Sequence, residues 1–154
     1  MNVASLAVKK LSQSGAEFIS RKEGFRPVAY QDIAGIWTIG YGHTGPDVYP
    51  GMTVTHEQAL ALLIQDTAKA ARAVNSLVSV PITQNQFDVL VSLVHNIGES
   101  AFAGSTTLRE LNRGNYQAAA DAIELWNKAT INGVLTFVQG LANRRAEEKQ
   151  RFLS

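Results

Sequence analysis

The spacing of apolar positions changes along this chain. From Thr55 onward the period is helical, through Leu60, Leu63, Ile64, Thr67, Ala71, Val74 and Val78. Thr55 and Gln58 form a capping box at the start and Pro81 ends the pattern, which predicts one long helix over about 56–80. A second box, Thr83 with Gln86, opens a largely apolar run through Phe87, Leu90, Val91, Val94 and Ile97 that Gly98 stops. That run is the expected centre of the core. Shorter helices are expected in "TLRELN", in "YQAAADAIELW" behind an Asn115 cap, and in "LANRRAEEKQRFL"; the Asn-Gly pair in "TINGVLTF" marks a tight turn.

Before Thr55 the pattern differs. "AEFISRKE" reads as a first helix, with Gly24 as a left-handed cap. "VAYQ" and "WTIGYG" are short runs of β-branched and aromatic residues around a turn, which predicts a small antiparallel sheet, and "GPDVYPGM" reads as loop. Strands and helices are segregated rather than alternating, so the expected class is α+β. The expected order is an extension over 1–14, a helix and β-rich lobe over about 15–55, the linking helix, and a helical lobe over about 81–154.

At 154 residues the chain suits one domain. A formal charge of +1 argues against a nucleic-acid binder held by phosphate contacts. There are no cysteines, so disulfides, thiolate metal sites and cysteine nucleophiles are excluded. His43, His56 and His95 show no ligand spacing, and neither a metal nor another cofactor is expected. His56, in the first turn of its helix, reads as solvated, and Trp126, at the end of an apolar stripe, as core. "NRRAEEKQR" reads as a solvated helix face, whose acids interrupt any basic face for membrane attack. The apolar run of "MNVASLAVKKLSQSG" is broken by Lys9 and Lys10; it is too short to span a bilayer and lacks signal-peptide order, so no stable membrane insertion is expected.

The candidate chemistry lies in "EGFRPVAYQDIAGIWTIGYGH". Glu23 falls in the last turn of its helix, where the macrodipole disfavours a carboxylate by about 0.3–1 kcal/mol. That field favours the protonated form a proton donor needs, while the structural reading is a surface acid balanced by Lys22 and Arg26. Asp32 with Gly35 is a turn signature and Thr38 suits a strand, so each alone is unremarkable. Strand alternation places Thr38, Gly40 and Gly42 on one face, left bare for a ligand. Two carboxylates and a hydroxyl flanking one groove would meet the requirement of glycoside hydrolysis.

Glu23, eight residues, Asp32, five residues, Thr38 resembles the catalytic spacing of phage lysozymes of glycoside hydrolase family 24, the T-even type. "TIGYGHTG", "VPITQNQFDVLVSLVHNIGESAFAGSTTLRELNRGNYQAAADA" and "NRRAEEKQRFLS" extend the resemblance, notably to lambdoid endolysins, from about Ala16 to the C-terminus. The resemblance implies cleavage of the β-1,4 bond between N-acetylmuramic acid and N-acetylglucosamine in peptidoglycan. Glu23 would be the general acid, with Asp32 and Thr38 positioning the attacking water. It further implies a His43–Asp66 support pair, Arg144 beside the catalytic glutamate, and His95, Asn96 and Thr107 as sugar contacts. His95 stands where relatives mostly carry phenylalanine. The implied biology is a monomer made in the host cytoplasm that reaches the wall after a holin opens the inner membrane. A lytic transglycosylase is a rival reading, but it needs only the acid, not Asp32 and Thr38. A non-enzymatic wall-binding module would not be expected to keep all three residues.

Overall fold

The computed structural model describes residues 7–154, in two compact units: 11–69, and 7–10 with 70–154. Part of the N-terminal extension and its apolar run, residues 1–6, lies outside the described residues. The fold is α+β, as expected, with helices and two small antiparallel sheets.

The first unit begins with α1 (Gln13–Glu23), which starts earlier than the apolar pattern predicts because Ser12 caps it, accepting from the Gly15 N–H at 2.9 Å. Ala16, Phe18 and Ile19 form its buried side. Gly24 ends the helix at φ 72° as expected, but its ψ of 135° is extended rather than left-handed helical, and the chain runs straight on into a strand. The strands β1 (Arg26–Gln31), β2 (Trp37–Gly40) and β3 (His43–Thr44) pair antiparallel in that order. The β1–β2 register slips between Arg26 and Tyr30. There β1 pairs instead with the chain before the next helix, Ala29 N–H to Met52 O and Val54 N–H to Pro27 O, both at 2.9 Å.

That helix, α2 (His56–Asp66), carries the expected capping box of Thr55 and Gln58 and packs on β2 and β3. The approach is close at Gly40, where φ is +66° and a Cβ would stand 3.0 Å from the Cβ of Ala59. This corrects the bare strand face: Gly40 is packed under α2, and Gly42 lies past the end of β2, with open space beside it. The alternation argument fails because positive φ at Gly40 turns the chain out of the pleat.

The single helix expected over 56–80 is also corrected. It is interrupted at Thr67, and α3 (Ala68–Leu77) follows as a separate helix. Thr67 is fully buried, so its hydroxyl must bond to the backbone, and it does so at Leu63 O (2.8 Å) and Ile64 O (3.1 Å). A hydroxyl competing for the i−4 carbonyl weakens the helix at that point.

In the second unit, α4 (Gln84–Ile97) has the expected Thr83–Gln86 box and buries Phe87, Val89, Leu90, Val91 and Leu93 almost completely. It is the core helix that the pattern predicts. The short helices α5 (Glu99–Ala103), α6 (Thr106–Asn112) and α7 (Tyr116–Ile123) follow. Asn115 stands before α7 but does not cap it; its amide donates to Glu110 Oε2 at 2.8 Å. "TINGVLTF" is a full hairpin, β4 (Lys128–Ile131) and β5 (Val134–Phe137), turned by Asn132 (φ 51°) and Gly133 (φ 78°). Two consecutive positive-φ residues match the strand twist, which is why Asn-Gly serves there. The last helix, α8 (Gln139–Phe152), packs on α4 and α7. Residues 7–10 are held by Asn75, which accepts the Lys9 N–H at 3.0 Å and donates to Lys9 O at 2.9 Å.

"NRRAEEKQR" is a solvated face only in part: Asn143, Glu147 and Gln150 are exposed. Arg145 and Glu148 are fully buried and Arg144 nearly so, because the i, i+3 and i, i+4 spacings let the charges compensate one another within α8. Trp126 is half-buried beyond the end of α7 rather than part of the core. Among the described residues no helix is long and apolar enough to cross a membrane.

Gly40→Ala should destabilise the protein by about 1–2 kcal/mol from left-handed strain alone, with the Ala59 contact added. For a chain of this size that strain lowers the melting temperature by roughly 2–8 °C. Adding Ala59→Gly should recover only the contact part. Thermal melts of the single and double variants would contradict the close-approach reading if Gly40→Ala melted with the parent.

Candidate active site

Glu23 is the last residue of α1 and is half-buried. Two neighbouring cations lie over aromatic rings: Lys22 Nζ is 4.5 Å from the Phe18 centroid, and the Arg26 guanidinium is 3.9 Å from that of Tyr30.

Asp32 opens the connection between β1 and β2 and organises it. Its Oδ1 accepts from the N–H groups of Ala34 (2.8 Å) and Ile36 (2.9 Å), and its carbonyl accepts from Gly35 N–H at 2.9 Å. The turn read from "DIAG" is therefore present, with an Asx bond inside it. Among the described residues Oδ2 has no hydrogen-bond partner, so one carboxylate oxygen holds the loop and the other is left over. Thr38 faces Tyr30 and Thr44 across the sheet, is buried, and donates its hydroxyl proton to Ile36 O at 2.9 Å. With its proton committed, the Thr38 oxygen can only accept from any further partner. Glu23, Asp32 and Thr38 all belong to the first unit.

The expected His43–Asp66 pair is present, and it has a third member. His43 Nδ1 lies 3.0 and 2.9 Å from the two Asp66 oxygens, and Nε2 lies 2.9 Å from Asp47 Oδ2. A carboxylate oxygen faces each ring nitrogen, an arrangement that favours the protonated ring, in which both nitrogens donate. Burial pulls the His43 pKa down, but its bonds to Asp47 and Asp66 outweigh that and hold it above the ordinary value. The bond to His43 in turn holds Asp47 below the usual carboxylate value. The signal for Asp47 was its position four residues after His43. His56 is not simply solvated: Nδ1 is bonded to Tyr41 Oη, and its ring meets Tyr41 and Phe25 edge-on.

The other site candidates lie in the second unit. His95 is half-buried in the last turn of α4. Asn96, next to it, is exposed, and its Oδ1 accepts from Arg145 Nη2. Thr107 is fully buried, and among the described residues its hydroxyl has no hydrogen-bond partner. Arg144 Nη2 donates to Ser92 O and Oγ at 3.4 and 3.3 Å, and its Nε is 3.6 Å from Glu148. Ser92 donates to Glu148 Oε2 at 2.6 Å. The reading of the sequence missed Ser92, Arg145 and Glu148, although the Arg-Arg-x-x-Glu spacing was available as a signal.

Among the described residues no cluster of histidines and carboxylates could hold a metal ion. Glu23, Asp32 and Thr38, two half-buried carboxylates and a buried hydroxyl, lie on one helix–hairpin unit. The chain belongs to the phage lysozyme family, whose model matches residues 20–148. It is 49% identical to the endolysin of Salmonella phage P22 over 94% of this chain and 99% of that protein. The endolysin from Escherichia coli O157:H7 phage FAHEc1 superposes with a TM-score of 0.89 at 42% identity, covering 96% of each chain. The muramidase domain of SpmX from Asticaccaulis excentricus superposes with a TM-score of 0.85 at 46% identity, covering 94% of this chain and 98% of that one. The protein is thus an enzyme, a lysozyme of the endolysin type.

The His43 cluster predicts a pH dependence. The folded pKa of His43 is raised, so its stabilisation is complete below about 6.5, the unfolded value, and is lost as pH rises through the folded value. The Asp47 term has the opposite sense, present above about 3.9 and lost as pH falls through the lowered folded value. His43→Asn should cost roughly 1.5–3 kcal/mol at pH 5.5, the range for hydrogen bonds to charged groups. The cost should shrink towards pH 9, with activity affected less than stability. Melts of both proteins across that range check this, and equal melting at pH 5.5 would show the pairing contributes nothing.

Proposed function

We propose that the protein is a muramidase that hydrolyses the β-1,4 bond between N-acetylmuramic acid and N-acetylglucosamine with inversion at the anomeric carbon. The Asp32 carboxylate carries this reading: its Oδ1 is locked by two backbone N–H groups, and among the described residues its Oδ2 has no hydrogen-bond partner. A carboxylate held in that way can accept a proton from a water molecule without losing its place in the loop. The Thr38 oxygen, its own proton given to Ile36 O, accepts the water's second hydrogen. The water's oxygen then bonds to the anomeric carbon as the glycosidic bond breaks. Glu23 protonates the departing oxygen, and the water's proton goes to Asp32.

His43, Asp47 and Asp66 support the site without entering the reaction, fastening the segment after β2 to α2. Arg144 takes the place of the arginine beside the acid, and His95 and Asn96 contact the sugar. Thr107 would join them only if α6 moved, since it is fully buried. The protein works as a monomer with no cofactor. It is made in the host cytoplasm and reaches peptidoglycan once a holin opens the inner membrane.

Digestion of purified sacculi, with the new sugar ends identified by mass, tests the reaction type. Reducing muramic acid ends are expected; 1,6-anhydro ends would make the protein a lytic transglycosylase. Glu23→Gln should stay folded and lose about 10²–10⁴-fold in rate, the usual contribution of general acid catalysis. A variant that kept most of its activity would remove Glu23 from the mechanism.

Stereochemistry tests the role of Asp32. Room for a water requires the Glu23 and Asp32 carboxyls to stand about 6.5–9.5 Å apart, against about 5–5.5 Å for direct attack by a carboxylate. The first product should then be the α-anomer, visible in early NMR spectra of a digested soluble glycan. A β-anomer, or a glycosyl adduct trapped on Asp32, would overturn the water-positioning role.

A further inference from the structure

Arg145 is a fully buried guanidinium whose three nitrogens reach three different elements. Nε donates to Trp126 O at 2.9 Å, just past α7; Nη1 donates to Glu148 Oε1 within α8; Nη2 donates to Asn96 Oδ1 at the end of α4. Burial lowers the pKa of Arg145 and the adjacent Glu148 opposes that, so the cation is held by its partners rather than by water. Glu148 is itself fully buried and accepts from Ser92 as well. A planar fork with three fixed acceptors has no freedom left.

The consequence falls on Asn96, which is exposed at the surface of α4. A guanidinium has donors and no acceptor, so only the oxygen of the Asn96 carboxamide can face Arg145. The amide is thereby prevented from flipping, and its Nδ2 group must point the other way. Among the described residues that group donates to nothing. We propose that Arg145 is a positioning residue, which fixes the Asn96 carboxamide so that its N–H bonds are presented to an oxygen acceptor of the glycan, a hydroxyl or an N-acetyl carbonyl. The inference rests on the muramidase reading and on Asn96 as a sugar contact. It adds the reason that this contact has one polarity, a donor and never an acceptor.

Three variants assayed on soluble, uncrosslinked peptidoglycan strands test it. Arg145→Lys keeps a cation beside Glu148 but loses the fork. Asn96→Ala removes the contact, and Asn96→Asp keeps an acceptor for Arg145 while removing the donor. Each should raise KM about 3- to 10-fold, the range for one hydrogen bond, with kcat little changed. Asn96→Asp should melt no lower than the parent, which separates lost binding from lost folding. The double variant Arg145→Lys with Asn96→Ala should bind no worse than Asn96→Ala alone, because Arg145 acts only through Asn96. A multiplicative double effect, or a parental KM for Asn96→Asp, would overturn the proposal while the parent's activity left the muramidase reading standing. A parent that released no sugar ends would overturn both.

Discussion

Glu148 places a carboxylate where no water reaches it, and the helical unit is arranged around that constraint. An uncompensated buried charge costs several kcal/mol, so its neighbours must supply donors. Ser92 does so from α4, and Arg144 and Arg145 do so from the preceding turn of α8. The two arginines then reach outward, Arg144 to the backbone of α4 and Arg145 to Trp126 and Asn96. One buried anion therefore fixes α8 against α4 and also orients two of the residues assigned to the site. Apolar packing alone would hold the helices together but would leave those side chains free to rotate.

The helix–hairpin unit depends on a constraint of shape as well as charge. Its α2 helix approaches β2 so closely that a Cβ at position 40 would stand 3.0 Å from that of Ala59, and the segment beyond the strand is fastened to the same helix through His43. The hairpin loop is stiffened from within by Asp32, whose Oδ1 satisfies two backbone donors. A loop tied in this way loses little further entropy when a substrate arrives, which suits the water-holding role proposed for Asp32. On that proposal the same carboxylate has a structural oxygen and a chemical one.

The family assignment and the geometry meet at the enzyme class and leave the details to the residues. The chain is a phage lysozyme. The proposed bond specificity and stereochemistry rest on how Glu23, Asp32 and Thr38 would divide the work. In the second unit only Asn96, of the three sugar contacts inferred by resemblance, is both exposed and held by a side-chain hydrogen bond; His95 is half-buried and Thr107 is enclosed.

Local patterns determined a good part of the molecule without any tertiary information. Both capping boxes, the α4 core stripe, the Asp32 turn and the Asn-Gly hairpin turn could be read directly, because each is decided by residues within a few positions of one another. The contact of His43 with Asp66 was legible too, through the family pattern. Tertiary structure decided what periodicity cannot carry. Thr67 interrupts a helix because it is buried and must satisfy its hydroxyl on the backbone. Gly40 is packed rather than open because a helix distant in sequence crosses it, and Arg144, Arg145 and Glu148 of α8 are buried because Ser92 and Asn96 arrive from α4 to meet them. A sequence records which polar groups a segment carries. Whether water or another segment satisfies them is settled only when the chain has folded.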